Sequence, residues 1–459
     1  LMGTVFFLAG ISEMLNYTSF MAIFNSRAGT QYLPIMYLIE AFILPLEGWL
    51  LSWFSQRMSK ARFMISLYVL FVALLCLNGG MLAFFQLSGI HWFGFYVQLF
   101  LVSNFIVRQQ TLLMWSTAFD LCPTQQAKRL MPIFVLTAIV GGIVAGVISN
   151  VLAPVTGPLP IYLLAAAVLA AGIPNFLKSL RQYLLPLTIR QEEEVQQETQ
   201  STFYYIQHTL RSPFLLAVIG IMTLMPAVYF LMEYQYFTSA QEVFDNEADL
   251  TSFYGLMVII LFCAALLLQL FAAKLIERLG SSNTILAIAA VFLGCFALAF
   301  AFVGGPQALA VASIGYCLTY LLLYYFAEPS YQFYFKMLPL QHRDGYRFTA
   351  QGVASSLGIM SGSGLSMLHS ELGVSLTSQA AAGTAAAAAL LILAWITRHL
   401  YIKELVKYLQ TGTETIHNML TDFLETMKNE RVRQTLVEKL KSPDEAIQRV
   451  TIELFAKNP

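Results

Sequence analysis

Apolar residues follow one another along most of this chain in runs too long to alternate as strands, and short polar turns interrupt them at regular intervals. A hydrocarbon core about 30 Å thick is crossed by roughly 20 apolar residues in a helix. The runs therefore predict twelve spanning helices, over residues 1–24, 33–55, 62–86, 91–118, 130–153, 159–180, 212–238, 250–276, 282–303, 307–336, 348–368 and 379–399. Helices satisfy their own backbone groups in lipid, so the fold class is an all-α membrane protein.

Polar turns orient these spans. The even-numbered turns hold Arg57, Lys60, Arg62, Lys128, Arg129, Lys178, Arg181, Arg190, Arg211, Lys274, Arg278, Lys336, Arg343 and Arg347, whereas the odd-numbered ones hold Arg27 alone. Positive residues in short loops stay on the cytoplasmic side, which places both termini there. The same turns reveal a repeat. Arg62 to Lys128 is 66 residues and Arg278 to Arg343 is 65, while Arg62 to Arg278 is 216 and Lys128 to Arg343 is 215. Two six-helix halves of like polarity are expected, residues 1–180 and 212–399, joined by a polar cytoplasmic linker over 181–211 that contains RQEEEVQQETQ.

Beyond Tyr401 the pattern changes to that of soluble amphipathic helix. In KSPDEAIQRVTIELFAK, Ser442 suits an N-cap, Pro443 the first helical position and Glu445 a capping box. Residues 400–459 are thus expected to form cytoplasmic helices that resemble the start of HEAT-type repeats, a surface for a cytoplasmic partner. The chain opens inside an apolar run and closes on a helical pattern, so a longer protein is expected at both ends.

Composition agrees with a membrane protein: 58% of the 459 residues are hydrophobic and 11% charged, against roughly 25% charged in soluble domains. Twenty-six basic residues balance 26 acidic ones, and nothing points to nucleic acid. No phosphate loop, HExxH or GxSxG motif occurs, and the five cysteines lack metal-ligand spacing, so no enzyme, cofactor or metal site is expected.

A short list of charges remains inside the spans: Glu13, Glu40, Glu47, Arg108, Glu233 and Glu328. A charge at a helix centre costs about 2.5 to 3.5 kcal/mol to insert, so each is expected to meet a partner or a wet cavity. Span four puts Asn104, Arg108, Thr111 and Trp115 on one face, and span ten runs Tyr316, Tyr320, Tyr324 and Glu328 in steps of four before Pro329, which is expected to kink it. Span one adds Glu13 and Tyr17, and span seven Tyr229, Glu233 and Tyr236. Arg108, Asn104, Trp115, Tyr17, Tyr229, Tyr320 and Tyr324 are candidates to bind substrate, the rings either stacking on it or simply packing. Glu13, Glu233 and Glu328 are candidates to carry a coupling proton or balance Arg108. Arg108 could equally be a structural partner of a glutamate, and Tyr236 and Tyr331 could be interfacial anchors. Glu47, Asp120, Lys128, Arg129 and Arg343 form a candidate cytoplasmic gate, Glu47 by pairing with a base of the first basic turn; Glu40, deeper, is a candidate to carry a proton.

Two halves of like polarity with basic turns after helices two, four, eight and ten resemble the major facilitator architecture, in which helices one, four, seven and ten line the central cavity. Trp115 followed by QAKRLMPIF, from Gln126 to Pro132 and beyond, resembles the nucleotide (ATP/ADP) translocases, whose turn reads close to E-A-K-R-F-Y-P-L-F, and more closely their bacterial relatives with C-terminal HEAT repeats. RAGTQYLPIMYLIEAFILPL and LPLQHRDGYRFTAQG fit the same group. Gln126 stands where the translocases have an acid, and the cavity candidates are one arginine against several glutamates. The resemblance implies a secondary-active transporter moving a nucleotide or other organic anion by alternating access. Two alternatives stay open: a proton-coupled carrier of a neutral or cationic solute, and a membrane sensor or scaffold signalling through the cytoplasmic repeats.

Overall fold

The computed structural model of the chain describes residues 1–121, 124–181, 212–327, 330–331, 334 and 340–411. Twelve α-helices follow in order: α1 (Met2–Arg27), α2 (Leu33–Arg57), α3 (Lys60–Ser88), α4 (Phe93–Leu121), α5 (Thr124–Thr156), α6 (Pro158–Ser179), α7 (Pro213–Val243), α8 (Glu247–Leu279), α9 (Ser281–Phe302), α10 (Ala308–Leu322), α11 (Leu340–Ser370) and α12 (Leu376–Thr411). Each overlies an expected span to within a few residues at most ends, because the apolar runs set helix length and the turns set the breaks. The break before α6 shows how: Gly157 takes φ 75°, which suits a residue without Cβ, and Pro158 opens the helix at a position needing no N–H. The HEAT-like segment from residue 412 onward and the linker over 182–211 lie outside the described residues.

Span ten differs from expectation. Its α-helix ends at Leu322 and continues as a π-turn, Leu323–Ala327. Pro329, expected to kink this span, lies outside the described residues.

Among the described residues, nine helices are long and apolar enough to cross a membrane; α1, α4 and α11 are the three outside that group. Polarity turned inward explains α1 and α4. Ser12 Oγ donates to the Ala165 carbonyl at 2.9 Å, Asn16 Nδ2 to the Ser103 carbonyl at 3.2 Å and Gln110 Nε2 to the Ala9 carbonyl at 2.8 Å. These groups are buried and bonded, so they lower the average hydropathy of helices that lie inside the bundle. The chain is an integral membrane protein of helical class.

Two compact units emerge. The first comprises Leu1–Gln196, Tyr234–Leu267 and Ser370–Leu372; the second comprises Gln197–Glu233, Leu268–His369 and Gly373–Pro459. In the first, α1 crosses α5 backbone to backbone: a Cβ on Gly10 would strike the Ala138 carbonyl, and one on Gly141 the Phe7 carbonyl. Ile11, Leu15, Ala145, Ile161 and Ala165 pack around that crossing. In the second, α7 crosses α11 in the same manner, with a Cβ on Gly358 falling 2.7 Å from the Thr223 carbonyl and one on Gly362 2.6 Å from that of Ala227. Gly358 follows Gly141 by 217 positions and Thr223 follows Phe7 by 216, within two positions of the steps of 216 and 215 between the basic turns.

The first unit also gathers a polar seam between α5 and α8. Asn150 Nδ2 donates to the Ser252 carbonyl at 3.0 Å, and Ser252 Oγ donates to the Asn150 carbonyl at 2.9 Å. Gly146 and Gly255 let the two backbones approach, since a Cβ on Gly146 would lie 2.8 Å from the Gly255 carbonyl.

Candidate functional site

Helix α2 presents two glutamates seven residues apart, hence two turns apart on one face. Its opposite face is Phe42, Leu46, Trp49 and Trp53, which are 59%, 59%, 63% and 37% exposed and form the outward apolar stripe. Glu40 and Glu47 thereby point inward, to α4, whose Arg108 meets both. Arg108 Nη1 forms an ion pair with Glu40 Oε1, and Nη2 lies 3.7 Å from Glu47 Oε2. Gln109 Nε2 donates to Glu47 Oε2 at 3.4 Å. Glu40 and Glu47 are nearly buried and Arg108 about a quarter exposed, so the pair sits where Coulomb attraction is weakly screened.

One turn along α4, Thr111 Oγ1 donates to Glu13 Oε2 of α1 at 3.0 Å. Asn104 Nδ2 and Glu40 Oε2 are buried without a hydrogen-bond partner among the described residues. The cluster so formed carries one guanidinium and three carboxylates. Arg108 therefore has two carboxylates competing for it, and one can accept a proton while the other keeps the ion pair.

Arg108 pairs with glutamates of α2, as the reading of it as a glutamate's structural partner allowed. Glu13, a candidate to balance it or to carry a proton, accepts a hydrogen bond from Thr111, and Glu40 and Glu47 lie against the guanidinium. Glu47, expected to pair with the basic turn after α2, turns instead toward Arg108 and Gln109, because it shares the inward face with Glu40.

In the second unit the chemistry is aromatic. Tyr229 of α7 lies with its ring centroid 6.1 Å from those of Tyr316, Tyr320 and Tyr324. Tyr320 and Tyr324 are 4.6 Å apart. The Tyr229 hydroxyl donates to Glu233 Oε1 at 2.8 Å, one turn along the same helix, and Glu233 is buried. Tyr229 and Tyr316 are buried, while Tyr324 is 41% exposed.

The other predicted residues fall elsewhere. Trp115 meets Phe6 edge-on at 6.2 Å, and Phe6 in turn stacks on Phe134. Tyr17 meets Phe20 at 5.9 Å. Tyr236 and Tyr331, read as possible interfacial anchors, are both buried: Tyr236 packs against Phe253 and Tyr254, and the Tyr331 hydroxyl lies 2.9 Å from Met225 Sδ. Arg27 forms a two-pronged ion pair with Glu247 and donates to the Tyr96 hydroxyl at 3.3 Å. Glu328 and the side chains of Asp120, Lys128, Arg129, Arg343 and Lys336 lie outside the described residues. Among the described residues no group of three His, Cys, Asp or Glu side chains gathers as a metal site. Gln109 was missed by sequence reasoning, and Glu40 was not recognised as the ion-pair partner. The signal was present in the seven-residue spacing of the two glutamates against the Phe42–Leu46–Trp49–Trp53 stripe.

No family model and no curated protein matches the chain. Among solved structures it is similar to an auto-inhibited peptide transporter of the POT family, with a TM-score of 0.59 and 13% identity over 88% of this chain and 96% of that one. It is similar to the nucleoside transporter NupG (TM-score 0.58, 14% identity, 87% of this chain and 99% of that one). It is also similar to the POT family transporter PepTSo (0.59, 12%, 90% and 99%). At such identities the likeness is one of fold: the chain has the major facilitator-like fold of these membrane transporters.

Proposed function

We propose that the protein is a secondary-active transporter working by alternating access, in which the Glu40–Arg108–Glu47 cluster couples solute movement to protons. The observation that carries this reading is that two carboxylates compete for one buried guanidinium. Protonating one of them changes the charge of the cluster by one unit without leaving Arg108 alone in a weakly polar setting. The division into six-helix halves over 1–180 and 212–399, with both termini cytoplasmic in a bacterial inner membrane, belongs to the same proposal, and the matching glycine crossings support it. The test is uptake into proteoliposomes loaded with a pH-sensitive dye: solutes that move protons in the native protein should fail to do so in Glu40→Gln. Solute-driven proton flux at the native rate in that variant would sink the coupling role.

A second reading, a nucleotide or other organic anion, is favoured by the presence of Arg108 itself. It requires both Glu40 and Glu47 to release the guanidinium to a phosphate or carboxylate. Uptake of labelled ATP or ADP that vanishes in Arg108→Ala supports it, and absence of exchange in the native protein removes it.

A further inference from the structure

The tyrosine wall of the second unit is a built surface that the coupling cluster does not use. Its rings come from two helices, with Tyr316, Tyr320 and Tyr324 projecting from one stripe of the α10 segment and Tyr229 from α7. At about 100° per residue, Ile314 and Leu318 lie on the opposite side of α10 from this stripe. They are 60% and 38% exposed and take the place of the lipid-facing edge. Tyr324, in the π-turn that follows α10, is 41% exposed. A ring so placed, with Tyr320 4.6 Å from it, offers π-faces to a ligand.

Charge selects among ligands. The described residues of α7 and the α10 segment contain no lysine or arginine, and the charge α7 sets among the rings is the carboxylate of Glu233. Phenol faces are electron-rich and attract a cation lying over them, more strongly when water is excluded. A buried carboxylate nearby adds long-range attraction of the same sign. An anion is repelled by both. We infer that Tyr229, Tyr320, Tyr324 and Glu233 form a recognition site for a flat organic cation, such as an aromatic or heteroaromatic ammonium. This rests on the transporter reading above and names its solute class.

Equilibrium binding tests it without any gradient, so a failure of proton coupling leaves this result standing and the reverse also holds. The probe is labelled 1-methyl-4-phenylpyridinium, applied to the full chain in lipid nanodiscs at pH 8, with neutral 4-phenylpyridine and anionic phenylphosphonate as competitors. The cation should bind and the neutral analogue should compete about tenfold less well. Glu233→Gln and Tyr320→Leu should each weaken binding by about tenfold, whereas Tyr320→Phe, which keeps the ring, should hold it within about twofold. A melting temperature within the native range for each variant shows that the site and not the fold has changed. Absence of binding, binding indifferent to Glu233→Gln and Tyr320→Leu, or better competition by phenylphosphonate would overturn the assignment.

Discussion

The stripe Asn104–Arg108–Thr111 on α4 meets carboxylates of α1 and α2, whereas the stripe Tyr316–Tyr320–Tyr324 on the α10 segment meets another ring, Tyr229. The 216-residue step that carries Phe7 to Thr223 also carries Glu13 to Tyr229, Tyr17 to Glu233, Asn104 to Tyr320 and Arg108 to Tyr324. Positions related by that step thus hold a guanidinium in one unit and a phenol in the other, and α1 and α7 exchange their glutamate and tyrosine. The backbone crossings keep their register while the side chains at these positions diverge. Packing is bound by steric limits at glycines, and the chemistry of the inward faces is free to specialise.

The comparison breaks most sharply at the arginine. Arg108→Ala should destabilise the protein by about 3–5 kcal/mol, because it leaves Glu40 and Glu47 buried without their cation. The matching truncation, Tyr324→Ala, should cost under about 1 kcal/mol, since that ring is 41% exposed. Thermal unfolding in detergent compares the two, and equal losses would show that the guanidinium is not holding the first site together. Next in size are the glycine crossings of the two units. Gly141→Val and Gly358→Val should each cost about 1–3 kcal/mol by forcing a side chain against a backbone carbonyl. The same assay would expose the correspondence as coincidental if one of them were neutral. A milder change than these crossings, Tyr229→Phe, keeps the ring and removes the hydroxyl that donates to Glu233, so about 1 kcal/mol should be lost. A stability unchanged by it would mean that the hydrogen bond contributes nothing net.

The sequence makes the twelve helices legible because apolar run length is a one-dimensional quantity, and turns at Gly157 or Gly280 end the runs sharply. It also marks Arg108 and the glutamates as exceptional, since charges in lipid are costly. It does not say which glutamate meets the arginine. That depends on the rotation of α2 against α4, and the Phe42–Leu46–Trp49–Trp53 stripe that fixes the rotation becomes informative only once its exposure is seen. Tyr236 and Tyr331 show the converse: position near a helix end resembles an anchor, yet packing against Phe253 and Met225 decides their burial.

The widened turn Leu323–Ala327 has a geometric effect on the wall it carries. In a 3.6-residue helix each step of four advances about 40° beyond a full circle. Three tyrosines so spaced would fan around the axis. A turn closed by i→i+5 bonds contains more residues per revolution and winds that surplus back. Tyr324, set within it, is thereby brought toward alignment with Tyr316 and Tyr320, so the register of the stripe is written in the hydrogen-bond count of the main chain.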